Sequence, residues 1–478
     1  MEWDTLLSTQ KLIDEDPEPR EFDQYPINAF EKDYSKIVSS AVFRRLQDKT
    51  QVFPLDKSDF IRTRLTHSIE VSTIARQMGI MISKNKTKYR PKDIDNSRAE
   101  NIASVLLCAG LLHDLGNPPF GHFGETTIGE WFQEHLGTIK YKDVLLKDWL
   151  NKQMINDLEN FEGNAQALRI LSKAQHNSEI NLSAAIISTL VKYPTSSISF
   201  KRDHPDIKKH KLGYYFAENA IFNKISEVVG TKNEKGEIYR HPLTHMLEAA
   251  DDIAYATADL EDAFKKRLFT LDEFITYFES CLDREKAVKN TNPDYYSLLL
   301  INTLKDKRGK QHNLSQDSKV FKEWIIYIRR WLMYTAVYRF SRSYSDIMAG
   351  DYTNDLFHDT NHSKTIRILK DSMNRFVFNS SGILKLELAS QTILSFLLDK
   401  FVHAALYYDY AEGEFRPTKA DKKYMNIFSD NYKQDYNSAK TSDEVMDLYL
   451  RLLMVTDYIS GMTDSYARML YRELSGIE

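Results

Sequence analysis

The chain has 478 residues, a formal net charge of −4 and a pI near 6.4, so bulk electrostatics do not draw it to nucleic acid or anionic membranes. With 17 Gly and 12 Pro over that length, strand-and-turn architectures are disfavoured; long runs of Leu, Ala, Ile, Glu, Lys and Met predict an all-α protein with a large core. Cys108 and Cys281 alone offer no disulfide framework or thiolate cluster, so a metal here takes nitrogen and oxygen ligands, as suits a reducing cytoplasm.

The start, Met1-Glu2-Trp3-Asp4, has no basic segment ahead of an apolar stretch, so no signal peptide is expected, and no run of about 18 apolar residues predicts a membrane span. Helical spacing of Ile69, Ser72, Ile74, Met78 and Ile82 predicts a helix over 68–83, and a more apolar run predicts another over 102–112, with a polar loop over 84–98 between them. Further helices are expected over 165–172, 182–190, 243–264, 321–340, 384–408 and 442–471. The interval 194–242 is less regular, carries turn signals at Gly213-Tyr214-Tyr215 and Asn233-Glu234-Lys235-Gly236, and could cover a site. The polar interval 409–438 reads as an exposed insertion or an inter-subunit element. No repeat or low-complexity linker divides the chain, which reads as a helical core over 1–310 with a carboxy-terminal helical extension over 311–478 packed on it.

Two His-Asp doublets occur. His358-Asp359 lies in polar, turn-rich sequence and is what composition alone furnishes among thirteen histidines. His113-Asp114 instead ends an apolar helix and opens the loop Gly116-Asn117-Pro118-Pro119-Phe120-Gly121. A divalent ion without thiolates is held by imidazole and carboxylate, and helix-borne His67, His113, Asp114 and Asp251 could converge on one. Each alone has a plain structural explanation, such as a helix-end cation or a solvated charge.

Their order, H…HD…D, resembles the metal site of the HD superfamily of phosphohydrolases. The resemblance narrows at Phe43-Arg44-Arg45-Leu46-Gln47-Asp48-Lys49-Thr50-Gln51-Val52-Phe53-Pro54-Leu55 and Arg62-Thr63-Arg64-Leu65-Thr66-His67-Ser68, which are similar to the opening motifs of the deoxyguanosinetriphosphate triphosphohydrolases. It continues through His113 to Glu125, Asn160-Phe161-Glu162-Gly163-Asn164-Ala165-Gln166, Glu248 to Asp262, and Asp457-Tyr458-Ile459-Ser460-Gly461-Met462-Thr463-Asp464.

The resemblance implies an HD-domain helical bundle, with the motif region over about 60–265. It also implies hydrolysis of a deoxynucleoside triphosphate, dGTP foremost, to deoxynucleoside and tripolyphosphate by water attack at the α-phosphorus. A divalent metal is the expected cofactor, Mg or Mn first, with Fe, Co, Ni and Zn open. His122 is the candidate general acid and Glu125, three residues on, the carboxylate that orients it, a pairing that the resemblance also assigns to catalysis. Helical spacing puts Tyr255 and Asp259 on the face of Asp251, where they could meet the sugar. By resemblance Gln51 and Val52 meet the base, Asn164, Lys192 and Lys211 the phosphates, and Arg64 is a further phosphate candidate.

Resemblance further implies a homo-oligomer, a hexamer, and a single-stranded DNA effector, in a cytoplasmic protein with no membrane partner. The carboxy-terminal half departs from the pattern. Leu388-Ala389-Ser390-Gln391 stands where relatives have Leu-Gln-Gly-Tyr, and Asp430-Asn431-Tyr432-Lys433 stands where they place arginines, with Lys433 able to act only as a point charge. The alternatives are another HD phosphohydrolase, such as a nucleotidase or cyclic-dinucleotide phosphodiesterase, and a nucleotide- or DNA-binding regulator without turnover.

Overall fold

The computed structural model describes residues 1–12, 27–53, 60–173, 180–288, 290–309, 314–378, 381–410 and 415–477. Pro54 and Leu55 of the first motif and the expected division at 310/311 lie outside them. Helices dominate. Those that build and back the site are α1 (Ala29–Ser39), α2 (Arg64–Lys84), α3 (Asn96–Leu112), α4 (Gly121–His135), α5 (Gly163–Lys173), α6 (Ala184–Leu190), α7 (Pro242–Ala254), α8 (Leu314–Arg342), α9 (Ser381–Ala405), α10 (Glu444–Ser460) and α11 (Asp464–Ser475). Apart from isolated bridges, strand pairing among the described residues is one hairpin, Lys140–Tyr141 against Val144–Leu145, turned by Lys142 and Asp143 at positive φ.

Local chemistry explains where the site helices start. Thr63 and Thr66 cap the start of α2 reciprocally, Asp95 accepts from the Arg98 N–H at the start of α3, and Pro242 opens α7 with His241 accepting from the Leu243 N–H. The Asp95 cap also explains why α3 begins at Asn96, well inside the stretch expected to be a loop. The run expected as one helix over 243–264 is three pieces: α7, a π-helical turn over Tyr255–Asp259, and a short helix over Leu260–Lys265. The run over 442–471 breaks between Ser460 and Asp464, where Thr463 caps α11. The polar interval 409–438 contains helices Lys419–Ile427 and Asp430–Ala439.

Two apolar clusters hold these helices. The first is built from α1 to α3, α6, α7 and α8, and includes Ile74, Met78, Leu106, Leu112, Met246, Ile253, Trp324 and Ile328. It runs on through Val320 to Ile383, past the 310/311 position. The second joins α4, the hairpin and α9 to α11, through Phe132, Tyr141, Leu397, Phe401, Leu453 and Ile459. The site lies where the two clusters meet, because α4 springs from the loop that follows α3. No single helix among the described residues is long and apolar enough to cross a membrane.

Candidate functional site

One close helix crossing sets the site. A Cβ on Gly110 of α3 would lie 2.4 Å from the Ser72 Cα of α2, so only glycine permits this approach. The start of α2 is thereby held beside the end of α3, and the His67 and His113 rings sit 5.3 Å apart between centroids. From α7, Asp251 reaches in with Oδ1 3.3 Å from His67 Nε2 and 3.4 Å from His113 Nε2. Donor atoms of His67, His113 and Asp251 all lie within 4.8 Å of one another.

The donor chemistry of this cluster fits a divalent cation. His113 Nδ1 donates to the Gly110 carbonyl at 2.8 Å, which leaves the Nε2 lone pair facing the cluster. His67 Nδ1 is buried without a partner. Burial opposes a charged His67, yet the hydrogen bond to Asp251 and the carboxylates of Asp259 and Asp114 raise its pKa above the ordinary imidazole value, so the field here favours positive charge. Burial also works against ionised Asp251, but Lys192 and His113 hold it well below the usual carboxylate range.

Asp114 stands at the cluster's edge, with Oδ2 3.6 Å from His113 Nε2. The same oxygen takes Arg64 Nη1 at 2.5 Å, and Oδ1 accepts from Asn117 Nδ2 at 2.6 Å. Arg64, expected as a phosphate contact, is buried and engaged with Asp114. It also lies against the next turn: a Cβ on Gly121 would be 2.7 Å from Arg64 Nη2. Sequence reasoning gave Asn117 no role; its signal was its place in the loop that the doublet opens.

That turn aims the second set of residues. Phe120 and Gly121 both adopt left-handed backbone, φ 64° and 66°, and α4 starts at once, so His122 and Glu125 fall on its first turn. His122 Nδ1 is 2.6 Å from Glu125 Oε2, and Glu125 Oε1 accepts from the Gly163 N–H at 2.9 Å. The Glu125 charge raises the His122 pKa, and although burial alone would raise that of Glu125, the His122 and Lys211 charges lower it. Between those two values the pair is an imidazolium with a carboxylate. The His122 side chain is 79% exposed. It opens on a cleft of about 690 Å³ lined also by Phe161, Glu162, Tyr193 and Lys211.

Glu162 is a further residue that sequence reasoning left without a role. It lies 3.0 Å from Lys211 Nζ and accepts from Asn164 Nδ2 at 2.7 Å, so it holds two of the expected phosphate contacts. Burial and then the nearby Glu125 charge raise its pKa. A carboxylate inside the quoted motif, next to assigned residues, was the available signal. Lys192, the third cation, sits 2.8 Å from Asp251 Oδ2, which places it at the cluster.

The remaining candidates surround these groups. Tyr255 and Asp259 bracket the π-helical turn, which winds less per residue than an α-helix and so returns Asp259 toward the Asp251 direction. Tyr255 is half-buried, but Asp259 is 1% exposed with both carboxylate oxygens buried and unpartnered, and burial pushes its pKa up to about 7. Gln51 and Val52 are half-buried just after the Thr50–Thr63 bridge, with Gln51 Oε1 unpartnered. Lys433 pairs with Asp430 at 3.5 Å on its own helix. His358 and Asp359 are exposed.

Comparison with known proteins agrees with this geometry. The HD domain family matches residues 64–188, a span that contains His67, His113, Asp114, His122 and Glu125. A deoxyguanosinetriphosphate triphosphohydrolase-like protein of Listeria monocytogenes is 41% identical over 483 residues, covering 100% of both chains. One of the same description from a Synechocystis strain is 32% identical, again over 100% of both. The deoxyguanosinetriphosphate triphosphohydrolase of Yersinia enterocolitica is 30% identical over 95% of each chain.

Proposed function

Because the chain belongs to the deoxyguanosinetriphosphate triphosphohydrolase family of HD-domain proteins, we propose that it hydrolyses deoxynucleoside triphosphates, dGTP foremost, to deoxynucleoside and tripolyphosphate. The observation that carries this reading is the placement of the His122–Glu125 pair one short loop after the His67, His113 and Asp251 cluster.

His67, His113 and Asp251, with Asp114 adjoining, are the residues to hold a divalent ion, Mg or Mn foremost, which would acidify a water and offset charge on the phosphoryl oxygens. The 5′-oxygen is a poor leaving group until protonated. Glu125 occupies His122 Nδ1 and keeps the ring protonated at pH values where a free imidazole is neutral, so His122 Nε2 can donate that proton into the cleft. Lys211 and Asn164, oriented by Glu162, bring a cation and a donor to the triphosphate, and Lys192 adds charge beside Asp251. Tyr255 is placed on the Asp251 side to pack against the sugar, and Gln51 and Val52 to meet the base.

The test is incubation of the purified chain with each of the four dNTPs plus Mg or Mn, with products resolved. Deoxyguanosine and tripolyphosphate are the expected products. Diphosphate or single phosphate in their place would refute the reaction.

A further inference from the structure

The segment from Asp457 to Asp464 joins α10 to α11, and the proposed chemistry uses none of it. Three of its groups nevertheless reach segments that carry site residues. Asp457 takes Arg169 Nε at 2.8 Å and Gln166 Nε2 at 2.8 Å, both from α5, whose first N–H holds Glu125. The Ser460 carbonyl accepts from Lys49 Nζ at 2.6 Å, and the same ammonium donates to the Asn117 carbonyl at 2.7 Å. Asp464 makes the most direct connection.

Asp464 is 2% exposed. Its Oδ1 accepts from the Phe120 N–H at 2.9 Å, and its Oδ2 accepts from the Thr50 N–H at 3.0 Å and from the Thr50 hydroxyl. Phe120 is a non-glycine residue in left-handed backbone, a conformation that costs of order 1–3 kcal/mol and persists only where the surroundings hold it. It immediately precedes the turn that launches His122 and Glu125. Thr50 immediately precedes Gln51. One buried carboxylate therefore bridges the turn before the His122–Glu125 pair and the segment that carries Gln51.

We propose that Asp464 is a positioning residue, which sets the placement of the His122–Glu125 pair relative to Gln51 across the active cleft. The proposal rests on the hydrolase reading for its kinetic consequence but not for its structural one. Replacing the carboxylate with an amide leaves one oxygen to accept and turns an –NH₂ toward the other N–H, so one of the two segments is released.

The experiment compares Asp464→Asn with Thr463→Ala, which removes the neighbouring α11 cap and nothing at the site. In Asp464→Asn, kcat is expected to fall at least tenfold. The His122 imidazole titration, followed by its ring-proton NMR signal and assigned by its loss in His122→Ala, should move toward the ordinary value as Glu125 loosens. The groups that face the ring, Glu125, Lys211 and Arg64, are unchanged in both variants. Thr463→Ala should lower Tm with kcat and the titration unmoved. If Asp464→Asn does not fold, Asp464→Glu, which keeps the charge and displaces it by one methylene, is read in the same way. A folded Asp464 variant whose kcat and His122 titration both match the unaltered protein overturns the proposal. If the unaltered protein hydrolyses no dNTP, the reaction is refuted, and the NMR titration still tests the positioning role.

Discussion

The Gly163 N–H points at Glu125 Oε1 from 2.9 Å, while the other oxygen of Glu125 is 2.6 Å from His122 Nδ1. The acid–base pair is thus referenced to the first peptide of a neighbouring helix and not only to its own. Glu125→Gln should keep the shape but lose the charge that raises the His122 pKa. Turnover should fall by about 10²–10⁴-fold in His122→Ala and by a smaller factor in Glu125→Gln, with metal content unchanged in both. Steady-state kinetics with calorimetric metal titration check this; near-full activity of His122→Ala would remove it from the mechanism.

The pH dependence has a defined sign. The raised His122 pKa and lowered Glu125 pKa mean that the ion pair persists between them, losing its proton only as pH rises through the His122 value. The alkaline limb of kcat should therefore lie above the ordinary imidazole value of about 6.5, and Glu125→Gln should move it downward. A limb that stays in place in the variant would assign it to another group.

Metal dependence should follow the cluster. Asp251→Ala removes the carboxylate that both imidazole Nε2 atoms approach, so added Mn should no longer raise Tm, whereas it should in the unaltered protein. Equal Tm shifts in the two proteins would exclude Asp251 as a ligand.

Gly110→Ala should be the most damaging one-carbon change in the core. Its Cβ would meet Ser72 backbone at 2.4 Å, so α2 and α3 must separate, at a cost of about 1–3 kcal/mol or more, and His67 moves away from His113. Chemical denaturation and metal affinity should decline together; loss of stability alone would show that the site tolerates the shift.

Asp259 offers a test in the opposite direction. Its folded pKa of about 7 exceeds the ordinary carboxyl value, so the folded state binds the proton more tightly and its stability falls as pH rises from about 4 toward 7. With chelator present, Asp259→Asn should match the unaltered protein near pH 5 and exceed it in Tm at pH 8. Parallel Tm–pH curves would place the carboxylate in a polar setting instead.

Much of the site was legible because its residues come in an ordered series with distinctive neighbours. His67, His113 and Asp251 do meet, as their positions near helix ends imply. What escaped was whatever depends on partners far along the chain. Nothing local to Arg64 indicates that it pairs with Asp114, and nothing near Thr50 points to Asp464. The helices Leu271–Ser280, Pro293–Arg308 and Ser363–Met373 were also missed. Each is short or largely polar, with an apolar stripe that becomes evident only against the core it covers. The break after Ser460 was hidden because the residues on both sides keep helical spacing.

The π-helical turn at Tyr255–Asp259 amounts to one surplus residue in an otherwise regular rod. Everything downstream is phased to that surplus: Arg62 reaches the Ala258 carbonyl, Glu261 and Asp262 together, while Phe264 points into the first apolar cluster. Deleting a single alanine, Ala256 or Ala258, would restore uniform winding and rotate the Leu260–Lys265 segment by about 100°. Arg62 would then lose its grip and Phe264 its seat, although no charged or catalytic group had been removed. A protein can carry such a length mismatch only if it is kept whole, so this turn makes the helix tolerant of substitution and intolerant of a change in count.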